Sequence, residues 1–254
     1  MSYDTELEHS ARSTISLCFG AASMVLLPLG ALGTKYGLWS HNIGIIMVAL
    51  AFLAALVPAA LFIGFVWHPR YRADRRGLFA GIMMGLLPLM VAAYLFSSSG
   101  SAPIIHDIST DTIRPPQFLT AVKLRAPDDN SLQWQEDVAK AQRQAYGGLT
   151  SVESSLSAAQ AYDQAKQVIL DLGWEIIDSD SRPGFIEAVD TSFWFGFKDD
   201  IVIRIEPAPG GSVLDLRSAS RVGRGDLGAN ATRIKLFIER FAASQRTRPQ
   251  SPSY

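Results

Sequence analysis

Two groups of residues carry the side-chain types that binding or catalysis would need. The first is Ser220–Asn230, in which Arg221 and Arg224 precede a predicted helix with Asp226 as its natural N-cap. Gly223, Gly225 and Gly228 permit tight backbone turns there, and Asn230 and Arg233 fall in the first turns of the helix. Guanidinium groups beside the free N–H groups of a helix start suit a phosphate or a carboxylate. The competing reading is a structural clasp, with Asp226 capping the helix and the arginines paired to Asp111, Asp199 or Asp200. The clasp is favoured, because an aspartate already holds the place of the anion.

The second group is His106, Asp107 and Asp111, joined by Asp199 and Asp200 from the start of a predicted strand. Such a set is suited to acid–base work or to a cation. His106 is the one imidazole in the C-terminal part, which argues against zinc, and no metal or cofactor is expected. Loop organisation by hydrogen bonding is the favoured role. Ser218 and Ser220 lie near the arginines, but no Gly-x-Ser-x-Gly elbow accompanies them. Gly223-Arg224-Gly225 lacks the lysine and spacing of a phosphate loop. The single cysteine, Cys18, rules out an intrachain disulfide, and Leu17 before it departs from a lipoprotein signal.

These candidates must be positioned by a compact α+β unit. Ser157–Leu172 has a helical apolar stripe, with Ser157 as N-cap and Gly173 as the stop. Trp174–Ser179 and Phe185–Asp190 flank a turn and read as a hairpin. Asp199–Glu206 alternates, with Ile201, Ile203 and Ile205 on one side, and Ser212–Ser218 follows after a Pro/Gly turn. A last helix runs from about Asp226 to Phe241. The expectation is a four-stranded antiparallel sheet with two helices on one face. Ile104–Phe118 reads as extended chain, and Leu119–Thr150 as irregular, with a Gln-rich helix from Leu132 to Tyr146. Phe193-Trp194-Phe195-Gly196-Phe197 is the most apolar run of this half; packing is its favoured fate, with a partner site or a lipid-touching wedge as alternatives.

Ahead of this unit stand three apolar stretches, Ile15–Gly33, Ile43–Trp67 and Leu78–Phe96, each long enough to cross a bilayer. The first lacks the short apolar core and cleavage site of a secretory signal. None holds Asp, Glu, Lys or Arg, which argues against a carrier built on these helices alone. Arg70, Arg72, Arg75 and Arg76 crowd the loop between the second and third stretches. Such a cluster stays on the cytoplasmic side, so everything after Phe96 is delivered to the other side. The domains are therefore expected at 1–100, a three-helix transmembrane region, and 101–254, an extracytoplasmic domain with its core at about 151–243. Gly81 and Gly85 make a small-xxx-small face for helix packing, within the chain or between copies in a homo-oligomer.

Three ordered blocks carry a family resemblance. They are Ile105–Asp111 with Pro115-Pro116-Gln117-Phe118, then Phe195–Arg204, then Arg217–Asn230. Over roughly residues 104–243 the chain resembles the family catalogued as domain of unknown function 1499, and the three-helix part resembles the membrane attachment of some members. The resemblance implies an envelope-associated domain and brings no activity with it. The reading is a multi-pass protein of the inner (plasma) membrane in a bacterial envelope, presenting a binding or scaffolding domain. Its expected partners are membrane lipids and an envelope protein or polymer. Net charge near zero gives no reason to expect nucleic acid. The alternative is a membrane-anchored hydrolase or transferase acting on an anionic substrate, and the sequence leaves open whether the protein is an enzyme.

Overall fold

The computed structural model of the 254-residue chain describes residues 11–67, 74–99, 102–182 and 184–247. Arg70 and Arg72 of the basic loop lie outside the described residues. The chain divides into two compact units, Met1–Gly100 with Phe193–Gly196, and Ser101–Ser192 with Phe197–Tyr254.

The first unit is built from α1 (Ala11–Lys35), α2 (His41–Trp67) and α3 (Arg75–Ser99). All three are long and apolar enough to cross a membrane. Small residues let them approach closely. A Cβ on Gly81 would strike the backbone of Ser16, and one on Gly20 would strike the backbone of Gly81. Gly85 faces Ala55 and Pro58 of α2. Both glycines of the small-xxx-small face are thus turned to helices of the same chain. Cys18 is exposed on α1.

The second unit is one open antiparallel sheet. Its strands are β1 (Asp107–Ser109), β2 (Val152–Ser154), β3 (Glu175–Asp180), β4 (Phe185–Thr191), β5 (Lys198–Ala208) and β6 (Gly211–Ser220). The order is β1-β6-β5-β4-β3, with β2 also paired to β6. The sheet therefore has six strands, and the expected four must be corrected. The two extra strands share one edge of β6, Asp107 opposite Ala219 and Val152 opposite Leu214. Each has only three residues, too few for a period-two pattern to stand out.

The helices are α4 (Ala121–Leu124), α5 (Glu136–Ala145), α6 (Ala158–Asp171) and α7 (Ala229–Thr247). Ser157 and Gln160 close a capping box at the start of α6, and Gly173 leaves its end at φ +77°. On the inner face of the sheet, Ile108, Ile186, Ile201, Ile203, Leu214 and Leu216 pack against Ala161, Val168 and Ile169 of α6 and Ile234, Phe237 and Phe241 of α7. Trp174, 5% exposed, stacks on Phe237 at 6.0 Å. This is the main core, and its members all come from within the second unit.

The outer face is not left to water. The segment from Thr110 to Gln135 lies across it as an irregular strap, with Phe118, Ala121 and Leu132 packed on Val202, Ala219 and Phe185. β6 is consequently buried on both sides over most of its length.

Candidate functional site

Strand register decides which charged groups meet. Along β5, Asp199 stands opposite Ser220 and Asp190 on the inner face, while Asp200 stands opposite Ala219 and Val189 on the outer face. Adjacent residues of a strand point to opposite sides, so these two aspartates cannot share a site.

On the outer face, charges join sheet to strap. Asp107 accepts two bonds from Arg217, at 3.0 and 2.7 Å, and that guanidinium also donates to the carbonyls of Pro116 and Leu132. Arg217 is fully buried, with the rings of Phe118 and Trp134 each 5.1 Å from its guanidinium carbon. Asp200, fully buried, receives Arg125 at 2.8 Å and Arg221 at 2.7 Å. Burial outweighs that carboxylate in its effect on Arg125, whose pKa is lowered. The fully buried Glu187 accepts from the backbone N–H groups of Leu119, Thr120 and Ala121, and so fastens the turn into α4. Arg204 bonds Asp215 at 2.7 Å and Asp111 at 3.0 Å. Burial raises the Asp111 carboxyl, but the N–H groups of Arg114 and Ile113 and the Arg204 guanidinium together outweigh it, and its pKa is lowered.

On the inner face a separate polar row closes one end of the core. Arg233 donates to Asp199 at 2.5 Å, to Asp190 at 2.8 Å and to Asn230 at 2.7 Å. Asn230 is fully buried and also bonds Ser218, Ser220 and the carbonyl of His106. Burial raises the pKa of Asp199, with the neighbouring Asp190 adding to the rise and Arg233 opposing it. Asp226 accepts from the N–H groups of Gly228 and Asn230 at the start of α7.

The two groups nominated by the sequence are thereby distributed. Arg221 lies with Asp200 on the outer face; Asn230 and Arg233 lie with Asp199 on the inner face; Asp226 serves the helix start; Arg224 is exposed. Asp107 and Asp111 bind different arginines, and His106 enters through its backbone carbonyl, which accepts from Ser220 and Asn230. Among the described residues no three His, Cys, Asp or Glu side chains are grouped to hold a metal ion.

The outer face also holds a cleft of about 730 Å³ between the strap and β3, β4 and β5. Ile113, Pro115, Pro116, Leu119, Phe185 and Val202 give it an apolar lining, and Arg114, Arg204, Asp178 and Asp180 give it a charged rim. Ile113 is 94% exposed. Sequence reasoning missed these residues, along with Arg125, Glu187 and Asp215. The signal was present in part: Glu187, Asp200, Arg204, Asp215 and Arg217 alternate with apolar residues in strands, which marks a charged second face awaiting a cover.

A search among curated proteins finds no match to this chain. The family model described as "Protein of unknown function (DUF1499)" matches residues 107–241, from the first strand of the sheet to the last large core side chain of α7, which is more than half of the chain. The protein belongs to the DUF1499 family, with three helices able to cross a membrane ahead of the family domain.

Proposed function

We propose that this protein is a membrane-anchored binding module, held on the extracytoplasmic side of the plasma membrane, whose outer-face cleft receives an extended segment of another envelope protein. The observation that carries this is the cleft itself. Its volume falls in the range of about 300–1,000 Å³ typical of ligand sites. It combines an apolar lining with Asp178 and Asp180 on its rim. Those two residues belong to β3, which pairs only with β4 among the described residues and so keeps a free edge of backbone groups. A strand laid along that edge would gain main-chain hydrogen bonds, place an apolar side chain in the cleft and bring a basic one to the aspartates.

The separation of Asp107, Asp199 and Arg221 into different ion pairs supports binding over the hydrolase reading, since a concerted reaction needs such groups within reach of one substrate. Arg70, Arg72, Arg75 and Arg76, between the second and third apolar stretches, support the orientation. A photo-activatable residue at position 113 of the full chain, in its own membrane, tests the cleft. The expected result is a covalent adduct with a protein that disappears when Asp178→Lys and Asp180→Lys are combined. Adducts with lipid alone, or adducts indifferent to the charge reversal, would overturn the reading.

A further inference from the structure

The end of the sheet where the chain arrives from α3 is met by segments that carry exposed apolar and cationic residues. Ile105 and His106 are tied there: the Ser220 N–H donates to the His106 carbonyl at 2.8 Å, and the Asp226 N–H donates to that of Ile105 at 3.1 Å. The start of β5 is at the same end, because the Arg221 N–H donates to the Lys198 carbonyl at 3.1 Å. The β4–β5 loop projects from this end. It is closed by the Ser192 N–H on the Phe197 carbonyl at 2.8 Å and by the Phe197 N–H on the Ser192 hydroxyl at 2.9 Å. On it Phe193 and Trp194 are 72% and 60% exposed, with their rings edge to face.

Two further apolar side chains share this end, Ile104 and Leu227, 80% and 51% exposed. Leu227 is held at φ +54°, the one non-glycine with positive φ among the described residues. A leucine in that region is strained, and its side chain is turned outward rather than into the core. Lys198, at the start of β5, and Arg224, between β6 and α7, are exposed as well. Burying Ile104, Leu227, Phe193 and Trp194 in water-free surroundings would recover what their exposure forgoes.

We infer that Ile104, Phe193, Trp194 and Leu227 enter the interface of the bilayer that anchors the chain, with Lys198 and Arg224 on anionic lipid headgroups. The covalent path supplies the partner. The chain from Ser99, the end of α3, to Ile105 reaches on the order of 20 Å at most, so a bilayer spanned by α3 is within reach of this end of the sheet. Aromatic rings favour the headgroup boundary, and basic side chains favour its anionic phosphates. The assignment gives Arg224 a ligand of the chemical kind its sequence suggests. It is independent of the cleft and holds on either side of the membrane.

The test uses the full chain with Cys18→Ser, reconstituted in vesicles of phosphatidylcholine and phosphatidylglycerol. Nitroxides are placed singly by Trp194→Cys, Leu227→Cys and Arg182→Cys, the last in the β3–β4 turn at the opposite end of the sheet. The expected result is that the labels at 194 and 227 collide several-fold more with oxygen, and several-fold less with a water-soluble nickel chelate, than the label at 182. Adding Phe193→Ser and Trp194→Ser should return the label at 227 to water. Replacing phosphatidylglycerol by phosphatidylcholine, or making Arg224→Glu with Lys198→Glu, should raise chelate access at both sites. Equal access to the chelate at all three sites would overturn the inference. So would shielding of 194 and 227 from both quenchers, since that marks contact with protein rather than lipid.

Discussion

Among the described residues Arg217 has the largest of the fully buried side chains, and it is charged. Removing an ion pair from water is costly, and a well-packed apolar pair would serve about as well. Losing one partner alone is different, because the other is left buried and unmatched. Arg217→Ala should therefore destabilise the domain by about 3–5 kcal/mol, whereas Arg217→Met combined with Asp107→Leu should cost much less. Urea denaturation of the full chain in detergent, followed by near-UV circular dichroism, measures both; equal losses would show that the cost comes from the lost bonds to the Pro116 and Leu132 carbonyls and not from an orphaned Asp107. Asp111 gives a pH signature. Its folded carboxyl ionises below the unfolded value, so its stabilisation is present above the unfolded value and fades as pH falls through the folded one. Asp111→Asn should be less stable than the parent at neutral pH, and the gap should close in acid. Asp199 tilts the other way, because its raised pKa makes the folded state lose stability as pH rises past the ordinary carboxylate value.

At the scale of elements, the inner layer is bound by aromatic packing that the sequence displays openly. Trp174 follows the Gly173 turn, stacks on Phe237, and continues through Phe237 to Phe241 at 6.0 Å. Trp174→Ala should cost about 3–5 kcal/mol in the same denaturation measurement. A loss under about 1 kcal/mol would mean that the neighbouring side chains close the cavity. This layer was legible because α6, α7 and the four long strands keep an apolar period over many residues. The outer layer was not. Its strap has no period, β1 and β2 are too short to show one, and its cohesion comes from ion pairs between residues far apart in the chain. The partner of Arg221 illustrates the limit. Asp111, Asp199 and Asp200 stood equal in the sequence, and only the register of β5 against β6 turns Asp200 to the outer face and Asp199 to the inner one. The cleft was hidden for the same reason, since one wall is strap and the other is sheet.

At the scale of the whole molecule, an even number of crossings after a cytoplasmic basic loop would return the chain to the cytoplasm, and a single crossing leaves it on the other side. α3, which begins at Arg75 and Arg76, is the last helix long and apolar enough to cross a membrane among the described residues. Holding those charges in the cytoplasm is favoured because translocating a cluster of arginines is costly, while the described residues beyond α3 show no comparable apolar span. The family domain is accordingly expected on the extracytoplasmic side, where the proposed partner would meet its cleft. Single cysteines in the Cys18→Ser background, at Arg72 and at Arg182, put this to a direct test with a membrane-impermeant thiol reagent on intact cells. Arg182 is well suited, with its side chain 91% exposed, whereas a position such as Ser212 is buried and would resist the reagent whichever side it lay on. The expected result is labelling at 182 at once and at 72 only after the cells are opened. Labelling at 72 with protection at 182 would reverse the orientation, and with it the side of the membrane on which a partner for the cleft must be sought.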